Sequence, residues 1–404
     1  MMMRAAAFLW LLSSTSTACD TEIDCSLNGR CVSNECACFQ GWGGPSCGTL
    51  ALLSAPVTGA FGGGIGGNSS SWGAGVARDP ATGTYIMYVD EITRGCGLGS
   101  WQPNSHCVLA TSTTPEGPFA RVRALQASWC HGSSLARDPV TGAWVFGHMA
   151  HAERGGACNQ CANGTTPRGA PSGPCDADGD ALPYGATAFV AAAGPLGPFA
   201  PAPGWVNCGN GEAFFSANGS VAVACPEGSA TADSFLSVST APSLAAGLAG
   251  NWTRLPQTLS VAPSNASVPY IGFHWEDQTI WRDPRGHWHA LMHAFRGQNT
   301  TLPEPGCVGG GGAWSPPGCT SLGGHAFSID ASHWWIGREP AYTALVRFAD
   351  GSEARMRARE RPHVILDGAG ELAFFLSGVG DPGAGGNTGA PGADHSYTLL
   401  QAVG

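Results

Sequence analysis

Charge is scarce in this chain. Only 12% of its 404 residues are Asp, Glu, Lys or Arg. The formal charge of -10 is spread thinly, which argues against nucleic acid and anionic membranes as partners. The 60 Gly and 29 Pro break the chain into short pieces, so short strands punctuated by Gly and Pro are expected rather than long helices. After the first 18 residues no apolar run approaches the length that spans a bilayer. A G-x-S-x-G elbow is missing too, which leaves serine-based catalysis without support.

Met1 to Ala18 has one basic residue, Arg4, then the apolar stretch Ala5 to Leu12 and small residues up to Ala18. That pattern predicts a secretory signal peptide over residues 1–18. The 16 cysteines then read as disulfides of a secreted or cell-surface protein rather than as thiol catalysts. Six N-x-Ser/Thr sequons, at Asn68, Asn163, Asn218, Asn251, Asn265 and Asn299, are candidate glycan sites and agree with that location.

Six cysteines fall close together, at Cys19, Cys25, Cys31, Cys36, Cys38 and Cys47, with Gly41, Trp42 and Gly43 inside the last interval. Residues 19–49 thereby resemble an epidermal-growth-factor-like (EGF-like) module. The resemblance implies the pairs Cys19 with Cys31, Cys25 with Cys36, and Cys38 with Cys47. So short a segment has little core and depends on such staples. Among the other ten cysteines the nearest pairings are Cys96 with Cys107, Cys208 with Cys225, and Cys307 with Cys319, although spacing alone leaves connectivity open.

Residues 50–404 are organised by one recurring phrase, a short apolar run, a turn and a second alternating run. It occurs at Trp72 to Asp90, Cys130 to Met149 and His274 to Phe295, more loosely at Glu360 to Ser377, and most weakly at Asn210 to Cys225. Each copy reads as a β-hairpin followed by further strands, such as Leu109 to Val122 and Ala188 to Pro203. The copies recur at intervals of about 60 to 85 residues, and five four-stranded units repeated radially make a β-propeller. The fold class expected is all-β, a small disulfide-rich module plus a five-bladed propeller, with Asp394 to Gly404 as a closing strand. The segments ATSTTPEGPF and GPLGPF, following hairpins rich in Asp-Pro, resemble the propellers of glycoside hydrolase families 43 and 32.

Arg-Asp-Pro appears three times, at Arg78, Arg137 and Arg282, and in family 32 such a triplet lies in the active site. Here it follows the apolar strand and opens D-P-x-T-G or D-P-R-G, so Asp starts a turn, Pro fixes the next φ and Gly closes it. Asp277 lies six residues before Asp283, roughly 20 Å away along an extended strand. Chemistry is therefore sought at the hairpins' open ends. Pairing places Trp72 opposite Asp90 with Glu91 just beyond, His131 opposite Met149, and Glu276 opposite His293, with Glu360 and Arg361 at the same level. Blade three offers Asn210 and Glu212.

Glycoside hydrolysis needs two carboxyl groups, about 5 Å apart for retention and roughly 6.5 to 9.5 Å for inversion. Glu276, Asp277, Glu360 and Glu91 are the catalytic candidates; Trp72, Asp90, His131, His274, Trp275, His293, His325 and Arg361 are the candidates for holding substrate. Family 43 members place a base Asp on the first blade's inner strand, where this chain has Trp72, Gly73 and Ala74. His287, His289 and His293 share one strand face, but no further ligand follows at a familiar metal spacing; no metal and no cofactor are expected. The sequence thus predicts a secreted propeller that binds or hydrolyses extracellular carbohydrate. A non-catalytic glycan-binding propeller is one alternative, and a matrix or cell-surface protein that binds another protein through its EGF-like module is the other.

Overall fold

The computed structural model describes residues 19–93, 95–126, 130–150, 186–199, 205–227, 235–261, 273–296, 322–337, 339–382 and 394–404. The signal segment, Asn163, Asn265, Asn299, Cys158, Cys161, Cys175, Cys307 and Cys319 lie outside these residues.

Five sheets form the five blades, antiparallel except at the outer edge of blade four. Their inner strands are Ser70–Arg78, Cys130–Arg137, Glu212–Phe215, Phe273–Arg282 and Ala358–Leu366. Each inner strand turns back into the second strand of its hairpin and later strands add outward, but blade four is finished by the earlier strand Thr258–Val261, which pairs in parallel with His333–Ile336. Apolar side chains fill the wedges between successive sheets as separate clusters. Val76, Val89 and Leu400 pack blade one against blade five, Leu135 and Tyr88 pack blade two against blade one, and Ile280 and Leu236 pack blade four against blade three.

The Arg-Asp-Pro triplets are turn formers at the ends far from the rim. Asp79 accepts hydrogen bonds from Ala81 N and Thr82 Oγ1 at 3.0 and 2.8 Å. Asp138 repeats the arrangement with Val140 and Thr141, and Asp283 accepts His287 N at 2.8 Å. Arg78 pairs with Tyr85, Arg137 with Trp144 and Arg282 with Trp288, so each turn is one residue longer than straight counting from the rim pairs gives. A one-residue bulge higher in each inner strand cancels the offset. Trp72 therefore still faces Asp90, His131 faces Met149 and Glu276 faces His293.

The N-terminal unit carries the three expected disulfides, Cys19–Cys31, Cys25–Cys36 and Cys38–Cys47. It shares a core with the propeller. The Trp42 ring lies 4.7 Å from His325 and 6.4 Å from Trp281, and Arg285 sits over Phe39 at 4.1 Å. Cys208 pairs with Cys225 as expected, but Cys107 bonds Cys130 instead of Cys96 and so ties the third strand of blade one to the inner strand of blade two. Cys96 is itself disulfide-bonded.

The ring closes where Leu52 bridges Val403 and Phe61 bridges Thr398. There His395 straps the glycine-rich segment before blade one to blade five. Its Nδ1 lies 2.9 Å from Asp381 Oδ2 and its Nε2 2.9 Å from the Ser69 carbonyl. Both partners only accept, so both ring nitrogens carry protons. Burial by itself would lower the His395 pKa, but Asp381 and the carbonyls of Ser69 and Gly62 outweigh it and raise the pKa. A raised folded-state pKa gives stability that is complete below the unfolded value and is lost as pH rises through the folded one. The melting-temperature advantage of wild type over His395→Gln should therefore shrink steadily above about pH 6.5. An advantage that stays constant with pH would refute the assignment.

Candidate functional site

Every blade places one residue with left-handed backbone at one level, in its inner strand or, in blade three, two residues before it: Gly73 (φ 64°), Gly132 (70°), Asn210 (58°), Asp277 (59°) and Arg361 (55°). Gly, Asn and Asp tolerate that conformation, whereas Arg needs its surroundings to hold it there. The holding is visible. Arg361 Nη2 donates to Asn210 Oδ1 at 2.8 Å, Asn210 Nδ2 donates to Asp277 Oδ1 at 2.7 Å, and Arg361 Nε lies 3.3 Å from the same Asp277 oxygen. Three blades are thus joined by a closed polar triangle. Blades one and two have no room for a side chain beside it, because a Cβ on Gly73 would meet Arg361 Cβ at 3.0 Å and one on Gly132 would meet Arg361 Nη1 at 2.8 Å.

One residue toward the rim stand Trp72, His131, Glu276 and Glu360. The first two are spent on packing. Trp72 is 3% exposed and clusters with Leu98, Ala358 and Trp101. His131 stacks on Trp101 at 4.6 Å, with Nδ1 2.9 Å from Ser105 Oγ and 3.3 Å from Asp90 Oδ2. Asp90 is fully buried and accepts Gly132 N, Ser133 N and Ser133 Oγ at 2.8, 3.0 and 2.6 Å. Burial raises its pKa, while Arg361 and these donors oppose the rise. Asp90, Trp72 and His131 therefore join blades instead of presenting to a ligand. Glu91 is taken by Arg121, at 2.9 Å, away from the other carboxylates. His325 lies inside blade four, 3.1 Å from His289 Nδ1 and under Trp42, not at the rim. His289 in turn reaches Asp283 at 3.5 Å. His274 and Trp275 occupy the inner strand opposite Phe295 and Ala294; their side chains lie outside the described residues.

Glu276, Asp277, Glu360 and His293 come together. One ligand atom from each lies within 4.8 Å of those of the other three. His293 is fully buried between two carboxylates, with Nε2 3.6 Å from Glu360 and Nδ1 3.9 Å from Glu276. The Glu276 and Glu360 side chains keep 33% and 20% of their surface exposed, so both reach solvent. Burial, Asp277 and Glu360, in that order, push the Glu276 pKa well above the usual carboxylate range. Glu360 is also raised, chiefly by burial, but His293, Arg357 and Arg361 pull it back. Among the described residues these four are also the group with the donor set and spacing to hold a cation, since the other close trio is made of disulfide cysteines.

Deeper, a pocket is lined by Glu212, Gln278, His363 and Ser133 together with the Asn210–Asp277–Arg361 triangle. Gln278, His363 and Ser133 were not singled out from the sequence. The signal that could have found them was the Gly, Gly, Asn and Asp at one level of four hairpins, which marks left-handed backbone and thus a bulge.

No family model and no curated protein sequence matches the chain. Solved structures similar to it include a thermostable family-43 glycoside hydrolase, at 11% identity over 84% of this chain and 91% of that one with a TM-score of 0.46. Two others are the endo-arabinase of Bacteroides thetaiotaomicron, at 12% over 87% and 97% with 0.45, and the α-L-arabinofuranosidase of Podospora anserina, at 11% over 87% and 95% with 0.47.

Proposed function

We propose that this protein is an extracellular carbohydrate-active propeller whose rim hydrolyses a glycosidic bond through Glu276 and Glu360. The observation that supports this reading is a solvent-reached pair of carboxylates set in unequal environments. Their ligand oxygens lie within 4.8 Å of each other, comparable to the about 5 Å of a retaining pair. Glu276, more strongly raised, keeps its proton and protonates the departing sugar oxygen. Glu360, whose rise is offset by His293 and two arginines, is the one that ionises and attacks the anomeric carbon. His293 fixes the relative position of both. Disulfides in both parts of the chain suit an oxidising, extracellular setting, and Asn68, Asn218 and Asn251 are exposed as glycan acceptors must be. The N-terminal unit, with its EGF-like pairing, serves in this reading as a cap on blade four.

A second reading has its own observation. The axial level carries Gly73, Gly132 and a neutralised Asp277, so no unpaired carboxylate stands there, which favours glycan binding without cleavage. Turnover and binding of plant and marine polysaccharides by the wild type and by Glu276→Gln/Glu360→Gln decide between the two. Hydrolysis lost in the double variant supports the first. Binding without hydrolysis in both proteins supports the second, and neither activity in the wild type overturns both.

A further inference from the structure

Gln278 is an anomaly of the pocket below the rim. It is 1% exposed, yet neither its Oε1 nor its Nε2 has a hydrogen-bond partner among the described residues. A buried amide left in that state lowers stability, and its retention calls for a partner that arrives from outside. The charged groups of the pocket, its histidine and Ser133 are already engaged. His363 pairs with Glu212 through Nδ1 and receives Val76 N–H at Nε2, Ser133 Oγ donates to Asp90, and Arg361 is held by Asp277 and Asn210. Asn210, Glu212 and Arg361 are only partly buried, so the pocket communicates with solvent.

We infer that Gln278 reads the exocyclic hydroxymethyl group of a sugar residue seated in the funnel, a deepening that rests on the carbohydrate reading above. Space and chemistry select this group. The enclosed part of the pocket has room for about two water-sized groups, which matches one carbon and one hydroxyl. A hydroxyl both donates and accepts, so it satisfies the Gln278 carbonyl and amino group together. Arg361 and His363 are already paired with Asp277 and Glu212, so the pocket offers no unpaired cation to a carboxylate, which disfavours uronic acids. A sugar without the exocyclic carbon leaves the amide unpartnered.

The test compares wild type with Gln278→Met, an apolar side chain of similar length, by thermal denaturation and by binding to oligosaccharides that end in hexose, pentopyranose or uronic acid. The variant should melt higher than wild type without ligand, since it removes the unsatisfied amide. It should bind hexose-ended chains about tenfold more weakly and leave pentopyranose-ended chains, already weak, within twofold. A lower melting temperature in Gln278→Met shows a structural role and overturns the inference, as does unchanged hexose affinity while wild type binds sugar. Wild type that binds no member of the panel overturns the carbohydrate reading and this inference with it.

Discussion

Glu276→Gln is expected to lower turnover of a natural glycan by about 10²- to 10⁴-fold while leaving its affinity within a few-fold, the loss typical of a general acid. The amide keeps the size and the hydrogen-bonding edge of the side chain but has no proton to give. A substrate whose leaving group is an acidic phenol needs little protonation and should lose far less. In the wild type the active form has Glu360 ionised and Glu276 protonated, so activity fills the interval between their two raised pKa values. The bell therefore lies above the ordinary carboxylate range, and its alkaline limb belongs to Glu276. Glu360→Gln removes the nucleophile and with it turnover. It also removes a charge that raises Glu276, so the Glu276 carboxyl, followed by carbon-13 NMR, should titrate at lower pH than in the wild type. Equal losses on natural and activated substrates would show that Glu276 is not the acid, and an unmoved Glu276 titration in Glu360→Gln would show that the carboxylates are not coupled.

Much of this arrangement was legible in the sequence because it depends on local chemistry. Asp-Pro followed by Gly states its own turn, strand alternation brings Glu276 opposite His293, and the EGF-like resemblance of residues 19–49 implies the three short disulfides found there. What stayed hidden depends on distant segments. Arg361 carries no sign of the left-handed bulge it occupies, since Arg, unlike Gly, Asn or Asp, does not favour that backbone, and only the register shift exposes it. Trp72 read as a sugar platform because nothing near it announces that Trp101, from a one-turn helix in a later loop, packs beside it and covers it. Cys107 likewise meets Cys130 across two blades, a proximity created by the packing of blade two against blade one and not by spacing. Asp90 and His131 read as rim groups for the same reason, since hairpin pairing fixes their level but not whether a neighbouring blade lies against them.

The largest expected effect on stability comes from Arg361. Removing its guanidinium in Arg361→Met leaves the 5% exposed Asp277 carboxylate with Asn210 as its remaining polar contact in the triangle. Breaking a buried pair from one side costs about 3–5 kcal/mol, far more than the pair's net worth when intact. The double variant Asp277→Asn/Arg361→Met removes both charges and should recover most of that loss. Arg361→Gly isolates the backbone contribution, because at φ 55° a glycine relieves left-handed strain that Met retains, by about 1 kcal/mol. Urea denaturation of the three variants separates the contributions; a single variant no less stable than the double would mean that the triangle is not held by charge. The same result bears on function, since Asp277 is one of the two carboxylates that raise Glu276. In Asp277→Asn/Arg361→Met one raising charge and one opposing charge leave together, so a folded double variant with its alkaline limb little moved would show that the triangle acts as the floor beneath Glu276 and Glu360 and not as a third catalytic carboxylate.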